Sequence, residues 1–306
     1  MKLQQLRCVY QIVQNDFNIS KAAEFLHTSQ PGVSKQIQLL EDEIGIKIFH
    51  RNGKRLTGLS DAGNDLFESI SEIIREVSNI KNISHEYEKD DTGTFTIATT
   101  HTQARYKLPK VVEAFVKKYP KINLNIHQGD PSQVTEQILK GDADVGIATE
   151  SIGHNDNIIC IPCYSWNRIL VFPKNHALMN IEEIKLQDIA SYPMITYDYA
   201  FTGSTIVSEV FKDAKISPNI MLTAIDADVI KTYVELNLGV GLIAEMAYDK
   251  NKDSSLGSRD VSHLFPTSTT YIGIRKETFV RGFVYDFIKM FTPHMKDVDL
   301  RNFLNK

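Results

Sequence analysis

Ala22-Ala23-Glu24-Phe25-Leu26-His27-Thr28-Ser29-Gln30-Pro31-Gly32-Val33-Ser34 decides the fold of the N-terminal part of this chain. The run from Lys21 to Leu26 reads as a short helix with Ser20 as its candidate cap, and Ala22 and Ala23 leave room for a second helix to approach closely. His27-Thr28 makes a tight turn. Ser29 then offers its hydroxyl to cap a third helix, Pro31 is tolerated in the first turn, and Val33, Ile37 and Leu40 recur at helical spacing to pack beneath it. Two short helices joined by a tight turn form a helix-turn-helix unit. Upstream, Leu3, Leu6, Val9, Tyr10 and Val13 give a first helix one apolar face, which Asn15-Asp16 brings to an end.

The outer face of the third helix carries Gln30, Gly32, Ser34, Lys35, Gln36 and Gln38, groups that reach base edges and phosphates in a major groove. Beyond it, Ile44–Phe49 and Leu56–Leu59 flank the basic tip His50-Arg51-Asn52-Gly53-Lys54-Arg55, which reads as a β-hairpin wing aimed at backbone phosphate. The candidate DNA-contacting residues are Ser29, Gln30, Pro31, Ser34, Lys35, Gln36, Arg51, Lys54 and Arg55. Polar helix surface and a basic loop, taken alone, serve a small protein-binding domain equally well.

Composition fits this reading. The chain has 306 residues, 42% of them apolar, which is length for about two or three domains with substantial cores. Its net charge is −4, yet residues 1–60 carry +3 and the remainder −7, a basic head on an acidic body. No apolar run reaches membrane-spanning length, and Met1–Leu6 has no signal-peptide character, so a cytoplasmic protein without membrane contact is expected. Three cysteines are too few and too odd in number for a disulfide scaffold.

Residues 1–60 closely resemble the DNA-binding domain of LysR-type transcription regulators. The resemblance rests on Ala22–Leu26, Ser29–Ser34, Leu39-Leu40-Glu41, Gly45, Leu56-Thr57 and Gly63.

From Asp61 to about Glu88 no proline interrupts the chain, and Leu66, Ile70, Ile73, Val77 and Ile80 alternate at spacings of four and three. Such a helix is about 40 Å long and needs a partner surface to be stable. Phe67, Ile74 and Ile83 widen its apolar stripe. The stripe serves a dimer seam or docks on its own chain, because periodicity identifies an apolar face and not its partner. A twofold dimer would set two recognition helices over paired half-sites. Lys89-Asp90-Asp91-Thr92-Gly93 ends the helix. The predicted organisation is residues 1–60 as head, 61–92 as linker and 93–306 as body, the body splitting into one subdomain of about 93–161 with 268–306 and another of about 162–267.

The body alternates short apolar strands with helices, the mark of an α/β fold on a mostly parallel sheet. Thr94–Thr99 is a predicted strand, Gln103–Lys118 a helix, Asn123–His127 a strand, Ser132–Lys140 a helix and Val145–Ala148 a strand. A second set includes strands near Ile169–Phe172, Met194–Thr196, Asn219–Thr223 and Gly239–Ile243 and a helix at Asp226–Leu236, before strand Thr270–Arg275 and helix Val280–Met295 return to the first. Ligands in such folds sit beyond the carboxyl ends of the strands. Three hydroxyl-bearing corners lie there: Thr99–Tyr106, Thr149, and Thr202-Gly203-Ser204-Thr205. Together they suit a small anion, although each hydroxyl alone is also an ordinary helix cap.

Over its whole length the chain resembles the CysB and Cbl branch of the LysR-type family, regulators of sulfur assimilation. Thr99–Pro109 is the most specific mark, with His127-Gln128-Gly129, Asp142-Ala143-Asp144, Ile147–Glu150, Cys163-Tyr164 with Trp166, and Phe201-Thr202-Gly203. The resemblance implies an N-terminal all-α winged helix-turn-helix with a long linker helix, and a C-terminal α/β effector domain of two subdomains like periplasmic binding proteins. It implies a cleft for an acetylserine-type inducer, sulfate or thiosulfate, contacted by Thr100, Thr102, Gln103, Thr149, Trp166 and Thr202. Ser204 departs from the arginine expected in the branch. The implied partners are double-stranded promoter DNA, a small anionic or zwitterionic sulfur-metabolism effector, further copies of the chain up to a homotetramer, and RNA polymerase. The implied role is activation of cysteine-biosynthesis genes, with no catalytic residue, metal or cofactor.

Rival readings rest on less. No His-Glu-x-x-His, Gly-x-Ser-x-Gly, phosphate loop or Gly-x-Gly-x-x-Gly motif supports an enzyme. His101 is the one candidate base, and no nucleophile or carboxylate can be assigned to it. Cys160-Ile161-Pro162-Cys163 has the spacing of a redox motif, but it precedes a strand and not a helix, so packed cysteines are the better reading than a redox sensor. Trp166 by composition alone is a core residue, and only the resemblance moves it to the cleft.

Overall fold

The computed structural model describes residues 1–53, 55–87, 92–149, 152–153, 155–198 and 202–304, with backbone alone for 202–205. Lys54 and the side chains of Thr202 and Ser204 therefore lie outside the described residues. The chain forms two compact units, Met1–Lys89 and Asp90–Lys306.

The first unit runs α1 (Leu3–Gln14), α2 (Ile19–Phe25), α3 (Gln30–Ile44), β1 (Phe49–Asn52), β2 (Arg55–Leu59) and α4 (Asp61–Tyr87). Its core holds Leu6, Val9, Val33, Ile37 and Leu40 from the periodic apolar residues of the sequence, joined by Ile12, while Leu3 is exposed. One cap differs from expectation. Asp16 and Phe17 turn the chain through positive φ, which puts Asn18 and not Ser20 at the boundary of α2. The Asn18 side chain accepts from the Lys21 N–H at 3.1 Å. Ser29 caps α3 as expected, accepting from the Gly32 N–H at 3.3 Å.

The apolar stripe of α4 divides along its length. Leu66, Phe67, Ile70 and Ile74 pack onto the helical core, with Phe67 stacked on Tyr10, so this half docks on its own chain. Ile73, Ile80 and Ile83 remain exposed. Gly63 lets the start of α4 lie against β1, because a Cβ there would collide with the Ile48 carbonyl oxygen.

The second unit contains β3 (Gly93–Thr99), α5 (His101–Tyr106), α6 (Leu108–Lys118), β4 (Ile122–Gln128), α7 (Pro131–Lys140), β5 (Val145–Ala148) and β6 (Ile158–Trp166). It continues with β7 (Arg168–Pro173), α8 (Leu186–Ala190), β8 (Met194–Tyr197), α9 (Thr202–Asp213), β9 (Ile220–Ala224) and α10 (Ala227–Glu235). The last elements are β10 (Val240–Ala244), β11 (Leu256–Asp260), β12 (Ser268–Arg275), α11 (Gly282–Phe291) and α12 (Asp297–Leu304). Two five-stranded sheets form, ordered β4-β3-β5-β12-β6 and β11-β7-β10-β8-β9.

Each sheet is mixed. β3 pairs in parallel with β4 and β5, and β8 in parallel with β9 and β10, while β12 and β7 run antiparallel to their neighbours. β6 leads out of the first sheet and β12 leads back, and these two crossover strands lie side by side. β6 runs through positions 161 and 162 and stays in the first sheet to Trp166. The single helix expected over Gln103–Lys118 is two, broken at Lys107. Pro109 explains the break: it has no N–H to continue the ladder, and its ring would strike the carbonyl four residues back. The break turns the short α5 independently of α6.

Candidate DNA interface and effector cleft

In the first unit the candidate contact residues lie on α3 and on the hairpin. Ser29, Gln30, Pro31 and Lys35 on α3 and Arg51 and Arg55 on the hairpin are exposed, while Ser34 and Gln36 are half-buried. A groove of about 510 Å³ runs between the α1–α2 turn, the start of α3 and the hairpin, with Lys21, Gln30 and Arg55 on its walls. The hairpin is shorter at its tip than the sequence suggested, because Arg51 and Arg55 already belong to β1 and β2.

One residue that holds this surface together was quoted in the sequence only as part of a pattern. Glu41 is 3% exposed, and its carboxylate accepts from the Ile48 N–H at 2.9 Å and from Lys47 Nζ at 3.0 Å. It ties the end of the recognition helix to the strand that becomes the wing.

In the second unit, five described effector-site candidates lie around one polar corner. Thr99 is register partner of Ile147, and its hydroxyl donates to the Ile147 carbonyl at 3.1 Å. Thr100 and Thr149 therefore leave neighbouring parallel strands at the same edge. Thr100 is buried and stands at the N-cap of α5, yet its side chain makes no capping hydrogen bond. The hydroxyl is thus not committed to the ordinary role that the sequence left open.

Thr102 meets the Tyr197 hydroxyl on β8 of the other sheet, and Tyr197 in turn accepts from the Ala244 N–H at 3.3 Å. Burial pushes the Tyr197 pKa up to about 12, so it remains a neutral hydroxyl. Gln103 and Trp166 are buried and meet through a residue the sequence reading passed over. Gln103 Nε2 and Trp166 Nε1 each donate to Thr270 Oγ1 at 3.2 Å. The Tyr164 hydroxyl donates to Gln103 Oε1, and Arg168 stacks on the indole at 5.1 Å. Trp166 is therefore buried next to the Gln103 cluster with its single N–H donor already engaged.

The electrostatics of the corner come from the far side. Asp228 on α10 pairs with Arg105 at 2.6 Å and accepts from the Tyr106 hydroxyl at 2.7 Å. Lys231, buried beside it, bonds Asp253 at 3.0 Å; burial works against its charge, but this partner and Tyr106 hold its pKa above the usual value. Tyr106 is likewise raised, first by burial and then by its bond to Asp228.

Residues 3–64 match the family of bacterial regulatory helix-turn-helix proteins of the lysR type, and residues 88–296 match the LysR substrate binding domain family. The chain belongs to the LysR family of transcriptional regulators. This LysR-type regulator is 45% identical over its whole length to "HTH-type transcriptional regulator SsuR" of Burkholderia cenocepacia, covering 99% of that protein. It is 44% identical over 96% of its length to "HTH-type transcriptional regulator CysB" of Haemophilus influenzae, covering 91% of that protein. Among solved structures, the cofactor-binding domain of the Cbl transcriptional regulator superposes with a TM-score of 0.66 at 36% identity, over 70% of this chain and 93% of that one. These relatives are regulators and not enzymes, and the fold expected from the sequence, a helix-turn-helix domain with a two-lobed α/β domain, is the fold of this family.

His101, Asp226 and Asp228 of this LysR-type regulator bring potential metal-ligating atoms within 4.8 Å of one another, and His101 Nδ1 is buried with no hydrogen-bond partner among the described residues. Asp228, however, already pairs with Arg105 and with Lys231. A cation entering there would meet two positive neighbours. Cys160 and Cys163 lie on β6, not at a helix N-terminus. Burial pushes their thiols up to about 11 and about 12, opposite to the direction a reactive thiolate needs. No helix among the described residues is long and apolar enough to cross a membrane.

Proposed function

We propose that this LysR-type regulator controls transcription of sulfur-assimilation and cysteine-biosynthesis genes in response to a small anionic or zwitterionic effector. The reading is carried by the Thr100 corner. A buried hydroxyl left uncommitted at the end of β3, beside Thr149 at the end of the parallel β5, offers donors where an α/β fold receives ligands. Acetylserine, sulfate and thiosulfate are the candidate effectors, held by Thr100, Thr102, Gln103, Thr149, Trp166 and Thr202. The identity to SsuR and CysB over nearly the full chain supports placing it in the branch whose members regulate sulfur assimilation.

Promoter DNA is read by α3 through Gln30, Pro31, Ser34, Lys35 and Gln36. Ser29 caps that helix, and Arg51, Lys54 and Arg55 meet the phosphates. Exposed Ile73, Ile80 and Ile83 on α4 support self-association through the linker, as a dimer and then a tetramer that engages RNA polymerase at the promoter. Effector binding shifts the balance between two arrangements of the lobes, and DNA affinity changes by the same coupling in both directions.

Calorimetry with acetylserine, sulfate and thiosulfate on wild type and Thr100→Ala tests the site. Binding by wild type and its loss in the variant is the expected result; failure of all three to bind, or undiminished binding by the variant, overturns it. A genome-wide map of bound promoters under sulfur limitation tests the regulon, and no enrichment of sulfur-uptake and cysteine-synthesis promoters would refute that assignment.

A further inference from the structure

Thr270 is fully buried on the returning crossover strand β12 and is register partner of Tyr164 on β6, next to a shift in register between Thr270 and Tyr271. Its hydroxyl oxygen accepts from Gln103 Nε2 and Trp166 Nε1, both at 3.2 Å. A hydroxyl has two acceptor lone pairs and one proton, so these two bonds leave its O–H to donate. Tyr164 donates to Gln103 Oε1.

Gln103 is thus held from both crossover strands, by Thr270 on β12 and by Tyr164 on β6. Linked bonds of this kind polarise one another and resist reorientation. Trp166 is attached to the same Thr270 oxygen. Its other face is covered by Arg168, whose Nη2 donates to Ser268 Oγ at 3.1 Å and whose Nη1 donates to the Pro266 carbonyl at 3.1 Å. One amide hydrogen of Gln103 is left over, since one N–H goes to Thr270 and the carbonyl is occupied by Tyr164. The indole has no second donor to offer.

We propose that Thr270 is a positioning residue of the effector cleft, fixing Gln103 with one amide N–H presented to the ligand and holding the Trp166 indole as an apolar wall with its N–H withheld. This rests on the reading of the Thr100 corner as the effector site and adds a residue that acts on ligand only through Gln103 and Trp166. The bonds of Gln103 also join α5, which follows the Thr100 corner, to both crossover strands. A ligand that pulls on Gln103 therefore pulls on the segment through which the two lobes are connected.

The experiment uses the full-length chain carrying Thr270→Val, Thr270→Ser or Tyr164→Phe, with Thr100→Ala as the control for the site. Trp166 is the only tryptophan, so fluorescence without ligand reports directly on its N–H bond. Thr270→Val is expected to shift the emission maximum and Thr270→Ser to restore it. Titration with sulfate and with acetylserine is expected to show about tenfold weaker binding for Thr270→Val, as one lost positioning bond implies, and near wild-type binding for Thr270→Ser. Tyr164→Phe, which removes the donor to Gln103 Oε1 and leaves both bonds that Thr270 accepts, is expected to weaken binding with little change in emission. Should Thr270→Val fail to fold, Thr270→Ser and Tyr164→Phe decide.

Unchanged emission in Thr270→Val overturns the proposal, as does wild-type binding by Thr270→Val or, where that variant does not fold, by Tyr164→Phe. If Thr100→Ala loses binding while Thr270→Val keeps it, the positioning role falls and the site reading stands. If wild type binds neither probe, the site reading falls and the proposal falls with it, whatever the emission shows.

Discussion

The Tyr106 hydroxyl donates to Asp228 at 2.7 Å, joining the helix that follows the Thr100 corner to the first turn of α10 beneath the other sheet. Arg105 reaches the same carboxylate from the neighbouring position. The Thr100 corner and the second lobe are thus linked through one acceptor, and Lys231 with Asp253 fixes that acceptor from behind.

Asp228→Ala should loosen this link. Removal of a charged acceptor of two hydrogen bonds costs about 1–3 kcal/mol per bond at buried sites, less here because Arg105 is largely exposed. Hydrogen exchange should speed up in α5 more than in α6; equal rates with wild type would show that the link carries no stability.

Glu41→Ala should destabilise the DNA-binding unit by about 1–3 kcal/mol, because it leaves the buried Ile48 N–H without its acceptor. Glu41→Gln keeps a carbonyl at that position and should recover part of the loss. Thermal unfolding of both variants decides, and a wild-type melting point in Glu41→Ala would contradict the role.

Arg55→Ala should weaken binding to all DNA sequences alike and reduce the slope of log affinity against log salt by about 1, as removal of one phosphate contact does. Fluorescence anisotropy at several salt concentrations measures it. An unchanged slope would remove Arg55 from the interface.

Burial alone would raise the Asp286 pKa, but donation from Lys118 and Tyr119 outweighs it and holds the carboxyl below its usual value. The unfolded chain then binds the proton more readily. The contribution to stability is complete above the ordinary carboxylate pKa of about 3.9 and is lost as pH falls through the lowered folded value. Asp286→Asn should flatten the acid limb of the melting curve between about pH 5 and pH 3; an identical limb would show that other carboxylates account for it.

The thiols of Cys160 and Cys163, raised to about 11 and about 12, should react slowly with iodoacetamide at neutral pH in the native chain. The Cys160→Ser, Cys163→Ser double variant should bind DNA like wild type with and without oxidant. An oxidant response lost in the double variant would revive a redox role.

Much of the first unit is legible in the sequence because its signals are local. Val33, Ile37 and Leu40 lie on one turn-to-turn stripe, and Ser29 caps a helix that begins beside it, so spacing alone orders them. Local spacing favours Ser20 as a cap where Asn18 serves, because the positive-φ turn at Asp16 and Phe17 has no mark in composition. Pro109 marked the break between α5 and α6, yet the apolar periodicity ran through it.

Thr100, Thr102 and Gln103 could be picked out because they are closely spaced hydroxyls and an amide at a strand end. Tyr164, Tyr197, Asp228 and Thr270 could not, since each is an ordinary residue of its own element and acquires a role only from a partner 61–167 residues away, as Tyr164 and Thr270 do with Gln103. By itself, then, the amino-acid order determined the helices of the first unit, most strands of the second and the hydroxyl-rich stretch at the end of β3, which depend on neighbours within a few residues, whereas β6 as a separate strand and β11 went unmarked. Only the tertiary structure decided that the Trp166 N–H is already engaged, that the Thr100 side chain makes no capping bond, and that Asp228 faces α5. Those facts depend on hydrogen bonds between distant segments, whose direction and length no sequence spacing encodes.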